Sequence, residues 1–106
     1  MPILSIYCVF ANYEEASRIG RTVVEERLAA CINILAPCHS IYRWQGKLEE
    51  AEEVPAILKT GTDRVDELIA RLAELHSYDV PAIVCWPAQR MFSAYGEWVQ
   101  NETAPT

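Results

Sequence analysis

The chain has 106 residues, 51% of them hydrophobic and 23% charged, with a formal net charge of −6. That length suits one domain with its own core, and the apolar share excludes intrinsic disorder for nearly all of it. The acidic balance excludes nucleic acid and anionic membrane surfaces, which need Lys and Arg to meet their charge, and leaves cations open as partners.

Four cysteines, Cys8, Cys31, Cys38 and Cys85, include no Cys-x-x-Cys pair and match no zinc-ribbon spacing. The N-terminus has no basic, cleavable leader pattern, and no apolar run is long enough for a membrane span. A cytoplasmic protein with free thiols is therefore expected.

The first element is a strand, Ile3 to Phe10, rich in β-branched and aromatic residues. Asn12 followed three residues later by Glu15 has the spacing of a capping box, which predicts a helix running to about Ala30. A second strand over Cys31 to Leu35 bends at Pro37 and continues extended through Ser40 to Trp44. Gln45-Gly46 predicts a tight turn into Lys47-Leu48, and after the acidic stretch Glu49 to Glu53 a further strand covers Val54 to Lys59. Gly61-Thr62-Asp63 predicts the start of a helix whose Val65, Leu68, Ile69, Leu72 and Leu75 fall at helical spacing. A strand from Val80 to Trp86 and a helix from Met91 to about Gln100, with Phe92, Tyr95 and Val99 on one face, complete the chain. Residues 101–106 are expected to fray, leaving an ordered core over about 3–100 of a single domain spanning 1–106.

The order β-α-β-β-α-β plus a terminal helix gives an α+β, ferredoxin-like antiparallel sheet with both main helices on one face. The first strand is apolar at consecutive positions, Ile6 to Phe10, whereas a strand wet on one side alternates. The second sheet face therefore needs cover, which predicts a homo-oligomer.

The run Leu28-Ala29-Ala30-Cys31-Ile32-Asn33, then Ser40-Ile41-Tyr42 with Trp44 and Gly46, resembles the CutA divalent-cation tolerance proteins. Lys59-Thr60, His76 with Tyr78 and Pro81, and Tyr95 with Trp98 continue the likeness in order, so that it covers about Ile3 to Gln100. The resemblance implies a homotrimer with PII-like assembly, a role in the response to divalent metals, copper above all, and no turnover chemistry or organic cofactor. It also implies two candidate metal ligands, Cys8 at the end of the first strand and His76 in the His-x-Tyr motif; thiolate and imidazole both suit copper. Two positions depart from the family pattern: Ala11-Asn12-Tyr13 replaces a Pro-Asp-Glu segment, and Ala82 stands where a glutamate usually follows Pro81.

Tyr42, Trp44, Lys59 and Tyr78 fall within the matching motifs and form a second candidate set, lining clefts between subunits for a small molecule or protein partner. Cys38-His39 with Cys31 is the only local Cys/His cluster, and it shows no fourth ligand for zinc. The glutamates from Glu49 to Glu53 are read as a solvated strand that discourages wrong edge pairing. No serine-hydrolase elbow, zinc-protease motif or glycine-rich phosphate loop occurs. A Cys–His pair meeting in space to activate a thiolate is the remaining enzymatic reading.

Overall fold

The structure is a computed structural model and describes residues 2–105, so Met1 and Thr106 of the expected domain lie outside it. Eight elements follow in order: β1 (Ile3–Phe10), α1 (Tyr13–Glu25), β2 (Cys31–Ile34), β3 (Cys38–Trp44), β4 (Lys47–Gly61), α2 (Val65–Leu75), β5 (Ile83–Ala88) and α3 (Ser93–Glu102). The sheet order is β2-β4-β1-β5 and every pairing is antiparallel. β3 pairs with the first half of β4, from Cys38 opposite Glu53 to Trp44 opposite Lys47. Among the described residues no helix is long and apolar enough to cross a membrane.

The sheet has five strands where four were expected, because the strand that bends at Pro37 divides in two and both parts pair with β4. β4 itself is one strand of 15 residues that absorbs the acidic stretch and the predicted Val54–Lys59 segment together. The turn between β3 and β4 lies at Gln45-Gly46, as the sequence indicates, with φ of 51° and 79°. Two successive positive φ values match the right-handed twist of the flanking strands.

Asn12 caps α1 by accepting from the Glu15 backbone N–H at 2.8 Å. The helix ends five residues before Ala30, closed by bonds from Arg27 N to Val24 O and from Leu28 N to Val23 O, with Arg27 at φ 62°. This is a Schellman closure with arginine where glycine is usual, which is why no glycine marked the end in the sequence. α1 lies close on β2 at Gly20, where an added Cβ would stand 2.7 Å from the Ile32 side chain.

Ile6, Cys8 and Phe10 of β1 and Val54, Ala56 and Leu58 of β4 form the core with Ala16, Ile19 and Val23 of α1 and Leu68 and Leu72 of α2. On the other face α3 provides cover at one end, through Val99 packed on Ile3 and Ala30. Helix α3 is therefore less amphipathic than predicted: Val99 is buried, whereas Phe92 is 79% exposed and Tyr95 and Trp98 stack at the surface. It also runs past Gln100, and Thr103 is buried with its hydroxyl donating to Val99 O, so the expected fraying does not reach that residue. Val84 and Trp86 of β5 are left exposed on the face away from α1 and α2.

Candidate functional site

A polar network joins the C-terminal end of β1, the start of α1 and the loop after α2. Glu15, buried under the helix start, accepts from Ala11 N at 3.0 Å with one oxygen and from Ser77 N at 3.1 Å with the other. Burial opposes its ionisation, but the hydrogen bonds from Ser77 and Ala11 outweigh burial and hold the carboxyl below its ordinary value.

His76 is buried, and its ring is fully engaged. Nε2 lies 2.8 Å from the Val9 carbonyl, and Nδ1 accepts from the Tyr78 backbone N–H at 3.0 Å. A carbonyl can only accept, so the proton is on Nε2 and the Nδ1 lone pair is spent on Tyr78. The ring also stacks on Phe10 with centroids 5.3 Å apart and leans against Tyr78 at 4.8 Å. Cys8 is wholly buried in the core, where burial, and secondarily Glu15, push its thiol up to about 12. As folded, neither His76 nor Cys8 offers a free lone pair to solvent. Among the described residues no three His, Cys, Asp or Glu side chains converge as a metal site.

The imidazole bond to Tyr78 has a structural consequence: it sets Tyr78 at the edge of a cleft. The Tyr78 hydroxyl donates to Glu53 at 2.8 Å, and burial followed by that carboxylate pushes the phenol well above its usual range. Tyr42 and Trp44 of β3 form the opposite wall, with Val9, Ser40, Glu49, Asp79, Val80 and Ala82 completing a cavity of about 590 Å³. The structure thus brings together three of the four residues expected in a cleft, Tyr42, Trp44 and Tyr78. Lys59 is not among them. It sits six residues along β4 from Glu53, paired in register with Ser5 and Cys31, roughly 20 Å away at strand rise.

Glu53 and Glu49 enter the cleft from a stretch read as a solvated edge. That reading describes Glu50 and Glu52, which are exposed, and fails for Glu53, which is 8% exposed. Strand alternation from Ile57 and Pro55 puts Glu53 on the sheet face away from α1 and α2, where Tyr78 of the loop after α2 donates to its carboxylate. Ala82 also lines the cleft, so the glutamate missing from the family pattern would have stood at its rim. Cys38 and His39 are adjacent on a strand and bond different partners, Ser40 Oγ at 3.6 Å and Glu50 at 2.7 Å, so they do not form a cluster.

Residues 4–102 match the model of the family described as CutA1 divalent ion tolerance protein. The chain is 42% identical over 101 residues to the divalent-cation tolerance protein CutA of Pyrococcus horikoshii, covering 95% of this chain and 98% of that one. It is 42% identical over 90 residues to the protein of the same description from Thermus thermophilus, covering 85% and 87%. The crystal structure of CutA1 from Oryza sativa superposes with a TM-score of 0.94 at 32% identity, covering 100% of this chain and 97% of that one. With the fold and nearly the full length in agreement, the chain belongs to the CutA1 divalent ion tolerance family.

Proposed function

We propose that this chain acts in divalent-cation tolerance as a homotrimeric, non-enzymatic binding protein of the cytoplasm, taking positively charged ligands in the Tyr42–Trp44–Tyr78 cleft. The observation that carries the reading is the lining of that cleft: Glu49, Glu53 and Asp79 contribute carboxylates, and no Lys, Arg or His is among the lining residues. Carboxylate oxygens suit divalent cations, and copper is the metal to test first. The trimer rests on the sheet face that carries exposed Val84 and Trp86, and the reducing compartment on four free thiols.

Calorimetric titration of the reduced protein with copper and zinc tests the metal reading. Binding that weakens in Glu53→Gln and persists in Cys8→Ala and His76→Ala supports the cleft. The reverse pattern moves the metal to Cys8 and His76, and no binding in the parent removes metal altogether. Light scattering that shows a monomer at micromolar concentration would remove the trimer.

A second reading is favoured by size. A cavity of about 590 Å³ with aromatic walls is far larger than one metal ion and falls in the usual range for small-molecule sites. On this reading the cleft serves as a PII-like sensor site, and the ligand is a small molecule.

A further inference from the structure

We infer that the ligand of this cleft is a small organic cation of the alkylammonium class, held by the rings of Tyr42, Trp44 and Tyr78 and neutralised by Glu53. The inference rests on the cleft being a binding site, and adds which chemistry it selects.

Three observations carry it. First, Glu53 is a carboxylate more than nine-tenths buried that lines the cavity, yet it forms no ion pair with any Lys, Arg or His among the described residues. Its one side-chain partner is the neutral Tyr78 hydroxyl at 2.8 Å. A carboxylate removed from water without a counter-charge in its own protomer is costly, and a cationic ligand supplies what the protomer does not.

Second, the walls are aromatic. Tyr42 and Trp44 remain 41% and 42% exposed in a strand pair with no helix over it, and with Tyr78 they face one cavity. Aromatic faces carry negative charge density that attracts a cation lying over them, tryptophan most strongly. A weakly hydrated alkylammonium gives up its water readily for such faces, whereas a small metal ion demands several oxygen ligands at close range.

Third, the carboxylates do not form a metal cage, since no three acidic, His or Cys side chains among the described residues converge. One buried carboxylate, two more at the rim and three rings around a cavity of about 590 Å³ match the demands of a bulky, singly or doubly charged organic ion.

The test is calorimetric titration of the full chain with tetramethylammonium, with tert-butanol as a probe of similar shape and no charge, and with copper in a separate arm. The expected result is saturable binding of tetramethylammonium and none of tert-butanol. Trp44→Leu should weaken it roughly tenfold and Trp44→Phe much less, as a cation–ring attraction predicts. Trp44 lies outside the core, so this variant keeps the test valid even if Glu53→Gln perturbs folding. Equal binding of tert-butanol would overturn the inference by showing a merely apolar pocket. Copper binding that depends on Glu53, with no tetramethylammonium binding, would overturn it and leave the metal reading standing. Binding of neither would remove both.

Discussion

Strand β4 passes through two environments that share one backbone. From Lys47 to Glu52 it is exposed except for half-buried Ala51, paired only with β3 in a two-stranded arm. From Glu53 to Gly61 it is buried or half-buried, flanked by β1 and β2 and covered by α1 and α2. The sequence of the exposed half, Lys-Leu-Glu-Glu-Ala-Glu, has weaker strand character than Val-Pro-Ala-Ile-Leu-Lys, yet both are fully extended. Pairing therefore sets the conformation, and layering sets the stability. A two-stranded ribbon is marginal in water by itself, so the arm takes its order from the body at one end, from its turn at the other, and from whatever seats on its apolar side chains.

The largest effect separating the two halves should come from Leu58→Ala. Leu58 is wholly buried in the core, and truncation there should cost about 2–5 kcal/mol in chemical denaturation. A loss under ~1 kcal/mol would mean that the body is no better packed than the arm, and the contrast would collapse.

Next comes Glu15→Gln, which acts beside the loop carrying His76 and Tyr78. Loss of charge on bonds to Ala11 N and Ser77 N should cost about 1–3 kcal/mol near neutral pH. The sign of its pH dependence follows from the lowered carboxyl. In acid the unfolded chain takes up the Glu15 proton before the folded chain does, so the stabilisation is present above 4.5 and is lost as pH falls through the folded value. Unfolding midpoints of parent and variant should therefore differ most at neutral pH and converge in acid. A difference that grows on acidification would assign Glu15 the opposite role.

The body of the fold was legible in the sequence because its signals are local or periodic. Asn12 with Glu15, the leucine spacing of α2 and Gln45-Gly46 each name their own structure. Two features were not legible for equally physical reasons. α1 stops at an arginine in the left-handed region, a position usually marked by glycine, and α3 hides Val99 while its larger aromatics stay at the surface. At the site, Tyr42, Trp44 and Tyr78 came from the family likeness, whereas the role of Glu53 came from neither spacing nor charge. Its carboxylate is met by Tyr78 of the loop after α2, and that loop is fixed by His76 bonding Val9 at a separation of 67 residues. No local pattern carries such a contact.

A smaller effect is expected at the tip of the arm. Gly46 has φ of 79° and nothing within 4 Å of where a Cβ would sit, so Gly46→Ala meets no clash and costs only the left-handed backbone penalty, about 1 kcal/mol. Because the arm is tied to the body at one end, that loss should appear as faster hydrogen exchange of amides in Cys38–Glu52, with global unfolding moved less. Equal loss throughout the chain would show that arm and body unfold as one unit.

The smallest effect on the chain's own stability should come from the pair Ile41→Ser and Leu48→Ser. Both side chains project from the arm at more than 60% exposure, so replacing them removes little that one protomer buries, and the cost should stay within about 0.5 kcal/mol. Their effect on assembly should be larger. If other copies seat on the arm, the parent's unfolding midpoint rises with protein concentration by mass action, whereas the double variant's stays nearly flat. At low concentration the two curves should meet, since only the unassembled protomer remains to be compared. Parallel curves at every concentration would place subunit contacts elsewhere, on the Val84–Trp86 face alone, and leave the arm as a wall of the cleft with no part in assembly.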